Sequence, residues 1–229
     1  MGGVRQLRDK GRIISTTMRD QTFDRMRHHI MAGHLRPGDT VTAKSISETF
    51  DVGTMPAREA LRQLVAVGAL RMHKNRSASV PELSKQEFID VINLRVSSEA
   101  YALASSIEKM TRKDLQHLRM VDGRQAKAAA ADDFDAYLEY NLEFHFSLYR
   151  PCGSRPVLAM IERLWLLSGP RLSYLIEQQG ILADSVSKHR DILNAVEARR
   201  VDQAESILVD DIRSAFDYII DHFDESEIS

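Results

Sequence analysis

Residues 46–64 read Ile46-Ser47-Glu48-Thr49-Phe50-Asp51-Val52-Gly53-Thr54-Met55-Pro56-Ala57-Arg58-Glu59-Ala60-Leu61-Arg62-Gln63-Leu64, and they decide the fold. Asp51-Val52-Gly53 is a tight turn between two apolar-periodic segments. The first is predicted as a helix over 43–50 and the second as a helix from Met55 to Val67, closing at Gly68. Ile46, Phe50, Val52, Ala60, Leu61 and Leu64 supply the short apolar core that fixes the angle between two such helices. Upstream, Thr17 begins another helical pattern, with Phe23, Met26, Ile30 and Met31 on one face. Gly33-His34 ends it, and Arg36-Pro37-Gly38-Asp39 marks a turn. Downstream, Leu70–Met72 and Ser77–Val80 read as two short strands around the polar tip His73-Lys74-Asn75-Arg76. Three helices followed by a hairpin describe a winged helix-turn-helix domain over 16–81, preceded by a flexible arm over 1–15.

After Pro81 the pattern changes to long amphipathic helices with no strand. Ser84 stands three residues before Glu87, a capping-box start, and Thr111 opens the next helix by the same logic. Further helices are expected over 133–149, 155–178, 183–199 and 201–223, with Gly169-Pro170 kinking or splitting the second of these. The fold class is therefore mainly α: an N-terminal winged helix-turn-helix, then an all-helical bundle of six or seven helices over 84–224.

Charge divides along the same line. Residues 1–81 carry 14 Lys and Arg against 7 Asp and Glu, whereas 82–229 carry 17 against 26. A basic first third on an acidic remainder points to one part that meets a polyanion. Hydrophobic residues are 43% and charged residues 28% of the 229, a globular balance. No apolar run approaches the about 20 residues of a membrane helix, and there is no secretory signal. A single cysteine, Cys152, forbids an intramolecular disulfide and suits a reducing cytoplasm, as a loop or core thiol. No nucleophile–base pair, phosphate loop or H-E-x-x-H motif argues for catalysis, and the chain is read as no enzyme.

A recognition helix presents its N-terminal side to the major groove. Thr54, Met55, Arg58 and Arg62 lie there, Lys44 opens the preceding helix, and Lys74 and Arg76 tip the wing. Arginine pairs bidentately with guanine or phosphate. An ion pair of Arg58 with Glu59 or Glu48 is the structural alternative.

Read in order, Gly33 … Leu35-Arg36-Pro37-Gly38, then Val52-Gly53-Thr54-Met55-Pro56-Ala57-Arg58-Glu59-Ala60-Leu61 … Leu64, then Gly68-Ala69-Leu70 and Asn75-Arg76-Ser77-Ala78-Ser79-Val80, this module resembles the GntR family of bacterial regulators. The resemblance implies that Lys44, Thr54, Met55, Arg58, Lys74, Asn75 and Arg76 occupy DNA-contact positions. One departure stands out: the family has Ser-Arg where this chain has Gly53-Thr54, so the usual operator preference does not carry over.

The second part is similar to the FCD subfamily through Leu94-Arg95 … Glu99, Asn141-Leu142-Glu143-Phe144-His145, Lys188-His189-Arg190-Asp191-Ile192-Leu193 and Ala204 … Leu208 … Asp211. On chemistry alone, Asn141 and His145 share a helix face, and His189 sits amid Val186, Ile192, Leu193 and Val196. Imidazoles from two helices with an oxygen donor suit Zn, Ni or Mn. The resemblance places Asn141 where the family has an acidic ligand and Asp211 where it has a last histidine. Metal-free, hydrogen-bonded core histidines are the alternative, and Asp211 is otherwise a surface carboxylate beside Asp210. Arg95 is expected either to pair with Glu99 or to bind an effector carboxylate. Arg171 is a second effector candidate, or an exposed helix residue. Tyr137, Tyr140, Met160 and Tyr174 are read as packing.

These readings imply a cytoplasmic, homodimeric repressor that binds a double-stranded DNA operator, answers to a small carboxylate effector held in the helical pocket, and has no membrane partner. A metal-dependent enzyme acting on a small organic acid, and a DNA-binding protein with no sensing role, are the competing readings.

Overall fold

The computed structural model describes residues 17–74, 76–175 and 179–223. The predicted arm over 1–15 and the wing residue Asn75 lie outside them. Helix α1, Met18–Met31, starts where expected, because Thr17 and Asp20 form a reciprocal capping box that satisfies two otherwise orphaned N–H groups. Its inner face holds Met26, Ile30 and Met31, with Phe23 only partly buried. Helix α2, Ala43–Phe50, ends at Asp51, whose left-handed backbone (φ 50°) makes the turn. Helix α3, Thr54–Ala66, buries Ala57, Ala60, Leu61 and Leu64.

Three two-residue strands complete this domain: β1 Thr40–Val41, β2 Arg71–Met72 and β3 Ala78–Ser79. Strand β3 is central and antiparallel to both neighbours, pairing Thr40 with Ser79 and Arg71 with the same Ser79. The hairpin expected from sequence is thus present, and β1 adds a strand that the periodicity of so short a segment does not reveal. Gly38 (φ 83°) brings β1 into register; a Cβ there would also run into the Glu82 carboxylate.

The remainder is a helical bundle of α4 Lys85–Ile107, α5 Arg112–Ala130, α6 Phe134–Tyr149, α7 Arg155–Ser168, α8 Gln179–Glu197 and α9 Val201–Asp221. Capping boxes at Ser84–Glu87 and Thr111–Asp114 set the starts of α4 and α5. Gly169-Pro170 does split the helix expected over 155–178: α7 stops at Ser168 and a 3-10 segment, Gly169–Leu175, follows. The core of the bundle includes Phe88, Leu103, Leu118, Phe144, Trp165, Val196, Leu208 and Phe216. Among the described residues no helix is long and apolar enough to cross a membrane.

The two parts touch along α1, α6 and α7. Arg27 pairs with Glu162, and Arg163 donates to the Val67 carbonyl at the end of α3. Gly169 packs so closely on α1 that a Cβ there would overlap the Met31 carbonyl.

Candidate functional site

Two sites emerge, one on the surface and one inside. On the surface, the N-terminal end of α3 and the wing flank a groove of about 610 Å3 lined by Ala43, Arg58, Leu61, Arg62, Met72, His73 and Arg76. Thr54, Met55 and Arg58 are exposed at its edge, Met55 to 67%. Gly53 occupies the N-cap of α3 and gives it no side-chain cap; glycine there costs only a few tenths of a kcal/mol relative to serine. The first turn of α3 therefore forms without the family's Ser-Arg pair. Among the described residues Arg58 makes no ion pair, so neither Glu59 nor Glu48 neutralises it. Glu59 instead pairs with Arg62 at 3.1 Å, and Glu48 approaches Lys44 at 3.7 Å. Both pairs are exposed and weak. Lys74 and Arg76 project from the wing into solvent.

Inside the bundle, α4, α6, α7, α8 and α9 enclose a cavity of about 40 Å3 whose lining includes Arg95, Asn141, His145, Ser185 and Asp211, with Leu172, Leu182 and Phe216 as apolar wall. At roughly 10–15 Å3 per enclosed water, it has room for about three waters or for an ion with one or two of them. His145 from α6, His189 from α8 and Asp211 from α9 converge there, one ligand atom of each lying within 4.8 Å of the others, all buried. Asp211 points inward, while its neighbour Asp210 stays outside and pairs with Lys188.

The hydrogen-bond network assigns the imidazole tautomers. Tyr149 gives its hydroxyl proton to Glu99 at 2.6 Å, so its oxygen is left to accept from His145 Nδ1 at 3.0 Å. Gln125 Oε1 accepts from His189 Nδ1 at 2.6 Å. In the neutral rings both Nε2 lone pairs then face Asp211 Oδ2, at 3.4 and 3.5 Å. Among the described residues, His189 Nε2 is buried and has no hydrogen-bond partner. Burial, then the neighbouring His189, pushes His145 well below the ordinary histidine value, which keeps its lone pair available. Burial works to raise the Asp211 carboxyl; only the positive charge of protonated His189 and His145, with Lys188, outweighs it and lowers the group below its usual value, so with neutral rings the carboxylate lacks that positive charge. Two lone pairs and an anionic oxygen thus point at one another, an arrangement that asks for a cation.

Arg95 is 1% exposed. Its Nε donates to Glu99 at 2.6 Å and its Nη1 to Ser168 at 3.0 Å, and its guanidinium lies 4.0 Å from the Trp165 ring centroid. Trp165 Nε1 donates to Glu99 at 3.1 Å. Glu99 therefore ties Arg95, Trp165 and, through Tyr149, His145 into one network. Arg95 reaches the cavity wall while already paired. Asn141 also lines the cavity, with its Oδ1 3.5 Å from Gln125 Nε2. Arg171 is buried rather than exposed, but its guanidinium lies over Phe223 and Phe88 and it is not part of the cavity lining. Tyr137 is buried on the cavity wall, Tyr140 packs against the core, and Met160 is exposed. The side chain of Tyr174 lies outside the described residues.

Residues 18–80 match the model for bacterial regulatory proteins of the gntR family, and residues 90–214 match the FCD domain. The chain belongs to the gntR family and carries an FCD domain. McbR of Escherichia coli K12, an HTH-type transcriptional regulator, is 27% identical over 191 residues, covering 82% of this chain and 86% of its own. The HTH-type transcriptional repressor GlaR of the same strain is 24% identical over 192 residues, 80% of this chain and 87% of its own. The solved structure of E. coli McbR/YncC superposes with a TM-score of 0.84 at 25% identity, over 91% of this chain and 99% of that one. A gntR regulator from Rhodococcus sp. RHA1 shares the fold, with a TM-score of 0.73 at 16% identity over 90% of this chain and 99% of its own. The protein is thus a DNA-binding transcription regulator and not an enzyme.

Sequence reasoning did not single out Gln125 and Tyr149, the two side chains that orient the site histidines in this regulator. Each sits on a helix face with no local motif. The only available signal was a polar side chain at an apolar-face position, Gln125 four residues after Val121 and Tyr149 four after His145.

Proposed function

We propose that this regulator is a homodimeric, cytoplasmic repressor whose operator affinity is set by a small carboxylate in the buried cavity, held through a divalent metal on His145, His189 and Asp211, with Asn141 as the neighbouring oxygen donor. The buried, partnerless Nε2 of His189, facing His145 and Asp211, carries this reading. Zn, Ni or Mn suits two imidazoles and a carboxylate. When bound, the metal would supply a positive centre for the effector's carboxylate. The chain's own residues do the rest: Gln125 and Tyr149 hold the imidazoles in the ligating tautomer, Arg95 offers the remaining N–H groups of its guanidinium, and the apolar wall excludes water.

A cavity of this size admits an effector only if its walls move. Such movement is how ligand binding would favour one relative placement of the DNA-binding domains over another. Lys44, Thr54, Met55, Arg58, Arg62, Lys74, Asn75 and Arg76 are the proposed DNA contacts, and two copies of the chain would meet two half-sites. The repressor direction is supported by relatives such as GlaR and a probable D-xylose utilization operon repressor of Paenarthrobacter nicotinovorans, which is 24% identical over 200 residues.

Elemental analysis of the purified protein, followed by thermal shift with added Zn, Ni or Mn and a panel of small carboxylates, tests this. About one metal per chain is expected from the single buried cluster among the described residues. A ligand at a hundred times its Kd should stabilise by about 2.7 kcal/mol. Protein that gains no stability with any metal or acid overturns the sensing half.

A further inference from the structure

Away from the cavity, three histidines of the DNA-binding domain gather against α6. His28 Nε2 bonds one oxygen of Glu139, and His34 Nε2 bonds the other at 2.7 Å. His34 Nδ1 lies 3.4 Å from Asp135, one turn earlier on the same helix. His29 stacks on His34 with ring centroids 4.5 Å apart. One carboxylate of the bundle thus grips the last turn of α1, at residue 28, and the turn that follows the helix, at residue 34. We propose that Glu139 is the positioning residue through which α6 holds the DNA-binding domain, and that His34 makes the hold proton-dependent.

The charged and titratable groups around it come from every packed element. From α1 and the turn after it come Asp24, Arg25, Arg27, His28, His29 and His34. From α6 come Asp135, Glu139 and Glu143, and from α7 Glu162 and Arg163. Most are already matched: Arg27 with Asp24 and Glu162, Arg163 with the Val67 carbonyl, and Glu143 with Arg150 and His117. Arg25 lies over the Phe50 ring and donates to the Phe50 carbonyl. The two oxygens of Glu139 are left to the histidines.

The titration of His34 has a definite sign. The bond to Glu139 raises His34 above the ordinary histidine value. Burial works to raise Glu139, but the bonds from His28 and His34 outweigh it and hold it at about 2. His34 therefore strengthens docking fully below about pH 6.5, and that contribution is lost as pH rises through its raised value. Burial and the adjacent His34 lower His29, so its opposing effect appears below about pH 6.5 and leaves the alkaline window to His34. The clamp loosens between mildly acidic and mildly alkaline pH, the range in which histidine is the usual switch.

NMR on the full-length protein, without DNA or added ligand, tests this in one sample. At about pH 6.5 the two domains should report one tumbling time, and the His34 ring should titrate above the ordinary value. Toward about pH 8.5 the DNA-binding domain should tumble faster than the bundle. E139Q, a partly exposed and volume-preserving change, should show the fast domain already at the lower pH, no further response, and a His34 ring returned toward about 6.5. E143Q, on the same helix, should behave as the unaltered protein. A single tumbling time across the range, or an E139Q protein that stays docked or keeps its pH response, overturns the proposal.

Discussion

The recognition face and the buried cavity handle charge in opposite ways. On α3 and the wing, Arg58, Lys74 and Arg76 stand in solvent, and Arg58 has no acidic partner among the described residues. Exposed cations cost little to leave unmatched in water, and they remain free to replace counterions on a polyanion. Around the cavity, Arg95, Trp165, Tyr149 and His145 are tied together through Glu99, and His189 is held by Gln125, while His189 Nε2 is buried with no hydrogen-bond partner among the described residues. A buried polar group is expensive to leave unpaired. The surface thus advertises its partner by a set of unmatched charges, the site inside the bundle by an unmatched ring nitrogen.

Breaking the interior network should have the largest effect. Glu99→Ala strands Arg95, Tyr149 and Trp165 inside the bundle, and should lower stability by about 3–5 kcal/mol in chemical denaturation. A loss under about 1 kcal/mol, the scale of a surface pair, would mean that the network is not closed to water. Next comes the partner that fixes His189. Gln125→Leu keeps the volume but removes the acceptor of Nδ1–H, and should weaken metal binding by about 10–100-fold in calorimetry, as outer-shell changes do. An unchanged affinity would separate tautomer control from ligation.

Effects on the recognition face should be smaller and should leave folding intact. Arg58→Ala should cost about 1–3 kcal/mol of operator binding and relax preference at one base position, read by anisotropy on variant duplexes. Lys74→Ala should weaken binding evenly across sequences and lower the slope of log affinity on log salt by about 1. A sequence-dependent loss at Lys74 would move it from phosphate contact to base reading.

How much of this was legible in the sequence follows the same division. Helix starts at Thr17, Ser84 and Thr111 were readable because a capping box is a local pattern over four residues. Strand β1 was not, since Thr40 and Val41 become a strand only through Ala78 and Ser79, far along the chain. Gly169-Pro170 signalled a break, but not that α8 would begin as early as Gln179. The resemblance brought His145, His189 and Asp211 to one expected site, and they do meet. Gln125, Tyr149 and Glu139 were missed for one physical reason: each matters through a partner on another helix, and the Glu139 clamp joins residues more than 100 positions apart. Periodicity marks which side chains turn inward; it does not pair them.

The most direct test of the link between the two regions is operator affinity measured by anisotropy, on DNA selected with this protein, with and without saturating metal and the carboxylate found by thermal shift. The unaltered protein should change its Kd by about 5–150-fold, the usual scale of coupling between sites, and H189A should show no change while still binding DNA. Equal affinity with and without ligand in the unaltered protein, or a full response in H189A, would contradict the account.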